Sequence, residues 1–167
     1  TCFPTPIRSD DTAGSLEARL AEIAAGNVEE VLVAYASGRL RPHGQEGEPT
    51  YAGKIEVDET YVDWSRPAVV IDRCVRAFNP RPGARTRVGG KLLKIWAVGL
   101  AEGGSPVPGH PPGTLVPVSE DRVEVCCGEV GGETIALLEV QPEGGRSMTC
   151  AEYLRGHRPE PGVRLGD

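Results

Sequence analysis

The chain has 167 residues, 39% of them hydrophobic, and a formal net charge of −6. That suffices for one ordinary domain with an appendage, and no apolar run approaches the roughly 18 residues of a membrane span. The N-terminal "TCFPTPIRSDD" has no apolar core of leader-peptide length, so the chain reads as soluble and untargeted.

Residues 12–37 predict a helix. Leu16, Leu20, Ile23, Val28, Val31, Leu32 and Tyr35 recur at spacings near three and four, an apolar stripe along one side. Asp10, Asp11 and Thr12 supply N-cap chemistry, Gly26-Asn27 is a candidate interruption, and Gly38 is a plausible stop. The stripe needs a partner that the short segment before it does not provide. Residues 38–50 are polar and turn-rich, and read as a linker.

A second unit spans residues 51–167. Asp63 or Ser65 is placed to cap a helix whose first turn holds Pro67 and whose apolar stripe is Ala68, Ile71, Val75 and Phe78. Asn79-Pro80 and Pro82-Gly83 end it. The period then changes to two. "ARTRV-GG-KLLKIWAVGL" predicts a hairpin across Gly89-Gly90; "GTLVPV", "RVEVCC" and "ETIALLEV" follow as strands, with turns at 119–121 and 128–132. Residues 101–113 are a Gly/Pro-rich loop. "SMTCAEYLRG" predicts a short closing helix, with Thr149 as N-cap and Glu152 three residues on. The class is mainly β with flanking helices (α+β). Five or so short antiparallel strands hide their edges most easily as a small barrel, of which the oligonucleotide-binding type is one arrangement.

Catalytic chemistry is not legible. His43, His110 and His157 lie in Gly/Pro-rich loops without a cysteine or carboxylate at ligand spacing. The cysteines, Cys2, Cys74, Cys126, Cys127 and Cys150, form no zinc pattern and read as reduced, buried thiols. No catalytic residue and no metal ligand is assigned.

Charge is segregated, however. Residues 73–94, "RCVRAFNPRPGARTRVGGKLLK", hold Arg73, Arg76, Arg81, Arg85, Arg87, Lys91 and Lys94, seven of the 18 cations, and no acid. Arg73 and Arg76 are three apart on a helix, and Arg85 and Arg87 two apart on a strand. A turn between these elements sets Arg81 near both. If helix and hairpin pack together, the seven form a phosphate-binding patch, with Trp96 on the Lys94 strand face as a candidate for base stacking. The competing reading is a solvated face balanced by acids elsewhere.

"YAGKIEVDETYVDW" (51–64), "RAFNPRPGA" (76–84), "LKIW" (93–96), "PPGT" (111–114), "LEVQPEGGRSMTCAEYLRG" (138–156) and "PGVRLG" (161–166) occur in this order. Together they resemble the C-terminal domain of the methionyl-tRNA formyltransferase family, and "DDTAGSLEARL" (10–20) resembles the end of that family's catalytic domain. Arg81 departs from the pattern, where an aromatic is common. The resemblance implies a helix-bearing barrel at 51–167 and a remnant of the catalytic domain at 1–37. It implies a parent enzyme that moves a formyl group from 10-formyltetrahydrofolate to methionyl initiator tRNA in translation initiation. On this reading the chain binds no cofactor itself, docks initiator tRNA through its cations, and lacks the catalytic residues, which belong to the missing N-terminal domain. The compartment implied is the cytoplasm, or an organelle matrix behind an upstream transit segment. Two other readings stay open: a buttress domain of a small-molecule (sugar-nucleotide or folate) formyltransferase, and a free-standing RNA-binding barrel. The only Met is Met148, so either an initiator Met has been removed or the chain is a piece of something longer.

Overall fold

The computed structural model describes residues 2–44, 46–100, 109–129, 132–157, 160 and 162–166. Most of the expected 101–113 loop and the centre of the expected 128–132 turn lie outside the described residues.

Helix α1 spans Ala13–Ala36. Thr12 caps it: its hydroxyl accepts from the Ser15 N–H at 3.1 Å, and the Ser15 hydroxyl accepts from the Thr12 N–H at 3.0 Å. That reciprocal pair satisfies two donors which the first turn leaves free. The expected interruption at Gly26-Asn27 does not occur. The Asn27 amide donates back to the Ile23 carbonyl at 2.7 Å, so the side chain follows the helix rather than breaking it. Gly38 provides the stop at φ +72°, its N–H bonding the Tyr35 carbonyl at 3.0 Å.

No residue of α1 is buried; Val28, Leu32, Val33 and Tyr35 are each more than half exposed. Its hydrogen bonds to α2 and the turn after it, among the described residues, come at its start. The Gly14 N–H bonds the Asn79 carbonyl at 3.0 Å, and the Arg76 guanidinium bonds the Asp11 carbonyl at 3.0 Å. Asp11 itself is buried and accepts from Arg19 at 2.8 Å and from the Arg8 N–H at 2.7 Å. The Arg19 guanidinium, with that N–H, holds its carboxyl well below the usual carboxylate range.

Helix α2 spans Ala68–Ala77 and buries Ala68, Ile71 and Val75. Neither Asp63 nor Ser65 caps it. Asp63 instead accepts from the Ser65 N–H at 3.0 Å, forming a turn before the helix. The carboxylate that meets the helix start is Glu133, which accepts from the Ala68 N–H at 2.9 Å from 65 residues away. A negative charge there also suits the positive end of the helix dipole.

The strands are β1 (Ala84–Val88), β2 (Lys91–Leu100), β3 (Leu115–Ser119), β4 (Arg122–Cys127), β5 (Glu133–Pro142) and β6 (Met148–Thr149), followed by α3 (Cys150–Gly156). Thr149 and Glu152 form the expected capping box of α3. Among the described residues the sheet is antiparallel with order β1-β2-β5-β4-β3, and β6 pairs with β5. The ladder is open, with β1 and β3 at its edges. Residues 163–166 reach both edges: the Leu115 N–H bonds the Val163 carbonyl at 2.9 Å, Leu165 N–H the Gly113 carbonyl at 2.8 Å, and Gly166 N–H the Arg87 carbonyl at 2.9 Å.

One face of the sheet and the inner side of α2 share a core that includes Ile71, Val75, Leu93, Ile95, Val125, Ile135 and Val140, all at most 2% exposed. Thr86 is admitted to it because its hydroxyl accepts from the buried Trp64 indole N–H at 3.1 Å.

Cys126, Cys127 and Cys150 are buried as expected, whereas Cys2 is exposed. Burial pushes the Cys127 thiol up to about 12 and the Cys150 thiol to about 11. A thiol whose charged form is disfavoured yields little thiolate. In a time course with an aromatic disulfide reagent at about pH 8, Cys2 should react at once. Cys126, Cys127 and Cys150 should react only after denaturant is added.

Candidate functional site

The hairpin places its cations by simple alternation. On β1, Ala84 and Thr86 point into the core, so Arg85 and Arg87 point out. On β2, Leu93 and Ile95 point in, so Lys94 points out. Arg85 pairs directly with Lys94 across the ladder, which sets two like charges side by side on one face. On its other side β1 is met by a parallel bridge from Tyr61, and the Tyr61 ring lies 5.9 Å from the Arg87 guanidinium. Arg87 also donates to the Gly90 carbonyl at 3.0 Å.

Arg81 sits exposed in the turn between α2 and β1. Two residues on, Gly83 lies against both Lys94 and Trp96: a Cβ built there would come 3.0 Å from Trp96 Cη2 and 3.5 Å from Lys94 Cδ. The turn that carries Arg81 is therefore seated on the same face of β2, beside Arg85, Arg87 and Lys94. At φ +87° and with a Cβ pressed against the edge of the Trp96 ring, Gly83 cannot be replaced cheaply. Gly83→Ala should lower stability by about 1–3 kcal/mol in urea unfolding, and shift the emission of Trp96.

The other three cations fall outside this group. Arg76 is held in the fold: its guanidinium bonds Asp72 at 2.8 and 3.0 Å and the Asp11 carbonyl at 3.0 Å. Its role in the structure is to join α2 to the start of α1. Lys91 pairs with Val88 and so lies on the opposite face from Arg85 and Arg87. It lines a cavity with Glu143, Tyr153 and His157 instead. Arg73 is exposed on α2, about half a turn from the stripe of Ile71 and Val75 that faces the core, so it points away from the sheet.

Among the described residues, ion pairs involve Arg19, Arg76, Arg122 and Arg146. The four clustered cations have no carboxylate within 4.0 Å among those residues. The Arg85 Nε is buried and has no hydrogen-bond partner among the described residues. Arg85 and Lys94 set like charges side by side, which is unfavourable, and an anion from outside would relieve that repulsion.

Three residues that complete this surface gave no sequence signal of their role. Tyr61 comes in from the segment before α2. Asn79 donates to the Trp96 carbonyl at 2.8 Å, and Gln141 accepts from the Trp96 indole N–H at 3.1 Å.

The family described as formyl transferase, C-terminal domain, matches residues 54–158. Methionyl-tRNA formyltransferase of Myxococcus xanthus is 43% identical over 157 residues, covering 93% of this chain and 48% of that protein. The enzyme of the same name from Pseudomonas fluorescens is 39% identical over 165 residues, with 97% and 49% covered. That from Nocardioides is 44% identical over 162 residues, with 96% and 49% covered. The chain thus spans about half the length of the curated relatives it matches. Among solved structures, a variant of HypX from Aquifex aeolicus superposes with a TM-score of 0.62 at 24% identity, covering 91% of this chain and 26% of that one. At that identity the likeness concerns the fold alone.

Proposed function

This chain belongs to the formyl transferase C-terminal domain family, and from that premise we propose that it is the RNA-docking part of a methionyl-tRNA formyltransferase. The parent enzyme then formylates the amino group of methionyl initiator tRNA with 10-formyltetrahydrofolate. The observation that carries the docking role is the grouping of Arg85, Arg87 and Lys94 on one sheet face, with Arg81 in the turn seated on it, without carboxylate partners among the described residues. Phosphates would supply the missing anions, and their neutralisation would release counterions. The acidic remainder of the chain repels the same polyanion and so restricts how it docks.

On this reading, residues 1–37 are the end of the preceding catalytic domain, 38–50 the linker and 51–167 the docking domain. The apolar side of α1, none of it fully buried in this chain, supports that division. The sheet is read as an oligonucleotide-binding barrel, for which the bonds from 163–166 to both edges are the support. Bond making belongs to residues of the preceding domain, and the chain alone is inactive. The compartment is the bacterial cytoplasm or an organelle matrix.

The alternative is a buttress domain of a small-molecule formyltransferase. Titration of the chain with initiator tRNA and, separately, with a sugar nucleotide decides between them. Saturable binding of tRNA alone is expected. Binding of the sugar nucleotide and not of tRNA at low salt would remove the RNA-docking role.

A further inference from the structure

The face that carries the cations also carries an indole arranged unlike a packing residue. Along β2 and β5, Ile95 pairs with Val140 but Ala97 pairs with Glu139, so Trp96 is an extra residue on its strand. Such a bulge leaves the extra residue outside the ladder and re-aims its side chain. Here both ends of Trp96 are then fixed. Its carbonyl, freed from the ladder, accepts from Asn79, and its indole N–H donates to Gln141. Gly83 supports the ring edge, against which a Cβ would press. The ring is nonetheless only half-buried. Trp64 is the contrast: 5% exposed, inside the core, its N–H bonded to Thr86.

Beside the Trp96 ring runs a groove of about 300 Å³, lined by Asn79, Pro80, Glu139, Gln141 and Ser147. The Lys94 ammonium stands over one face of the ring, 5.3 Å from its centroid, so a base would take the other face, and Arg85 is the next residue across the ladder. A fixed, partly open indole next to cations without carboxylate partners among the described residues is the arrangement that takes a base on the ring and its phosphate on the cations.

The geometry points to a subsite for one unpaired nucleotide of the RNA, its base stacked on Trp96 and its phosphodiester at Lys94 and Arg85. This rests on the RNA-docking role proposed above and narrows it. A base within a duplex has both faces covered by its neighbours, so it cannot offer one to the indole. The cluster of arginines reads phosphates of any RNA; Trp96 selects a single-stranded or looped-out position.

The test uses the whole chain and three probes at one low salt concentration: a single-stranded RNA 12-mer of mixed sequence, the same 12-mer as a duplex, and a 12-mer of equal charge made of abasic nucleotides. Binding is followed by tryptophan emission and by fluorescence anisotropy of labelled RNA. The single strand should bind about 10-fold more tightly than the abasic strand and quench emission, which the abasic strand should not. Trp96→Leu should abolish the quenching and reduce single-strand affinity about 10-fold, with less than about a 3-fold change for the duplex. Trp96→Phe should keep single-strand affinity within about 3-fold. The abasic comparison requires no variant, so it holds even if Trp96→Leu folds poorly. Equal affinity for the abasic and normal strands would overturn the subsite, as would unchanged single-strand binding by Trp96→Leu. In either case, if all probes still bind, the docking role stands without it. Absence of binding by every probe would overturn both.

Discussion

Replacing Arg85 and Arg87 together by glutamate should weaken binding of initiator tRNA about 100-fold at low salt. The same double change at Arg39 and Arg41 should cost less than about 3-fold. The size follows from losing two charge-assisted contacts at about 1.5 kcal/mol each, which converts to roughly two orders of magnitude. Arg85 and Arg87 alternate with the buried Ala84 and Thr86, so their side chains leave the core untouched. Arg39 and Arg41 are exposed beyond α1, far along the chain from the cluster, and carry the same charge. Only position distinguishes the two pairs. Arg76→Glu gives a third, diagnostic behaviour. It removes the bonds to Asp72 and the Asp11 carbonyl, so it should reduce stability while affecting RNA affinity far less than the strand pair. The readout is a set of binding curves beside urea unfolding curves for the same proteins.

Leu165→Ala should lower the stability of the chain by about 2–5 kcal/mol, the cost of a large-to-small change in a close-packed interior. Leu165 is two residues from the last position of the sequence, where truncation is often harmless. Here it is 3% exposed and belongs to the central core. Its N–H bonds Gly113, while its neighbour Gly166 bonds Arg87 on the opposite edge of the sheet. The segment therefore links the hairpin that bears the cations to the start of β3. Gly113 permits the approach, since a Cβ there would lie 2.6 Å from the Leu165 carbonyl oxygen. Gly113→Ala should accordingly lower the unfolding midpoint as well, whereas Gly162→Ala meets no neighbouring atom within 4 Å and is limited to the strain of its φ of +86°.

What could be read from the sequence was what depends on near neighbours. The period of α1 and of α2, the N-cap chemistry at Thr12, the capping box at Thr149 and the hairpin at Gly89-Gly90 all lie within a few residues of chain. The outward direction of Arg85 and Arg87 follows from period two. The same rule places Lys91, three positions from Lys94, on the opposite face, so its exclusion from the cluster was also legible. Arg76 was lost for a local reason too, since Asp72 stands one helical turn before it. The rest depends on long-range pairing. Nothing near Glu133 says that it meets the start of α2, and nothing near Leu165 says that it spans two sheet edges. The position of β5 between β2 and β4 decides where the Trp96 bulge falls. A bulge is a mismatch between two strands, so one strand's sequence does not contain it.

The central claim is that one sheet face gathers cations for a polyanion, and the salt dependence of initiator tRNA binding tests it most directly. With four phosphates neutralised, log K should fall linearly with log salt at a slope of about −3 to −4, and the Arg85→Glu, Arg87→Glu protein should show a slope shallower by about 2. A flat response, or the same slope in both proteins, would contradict the claim.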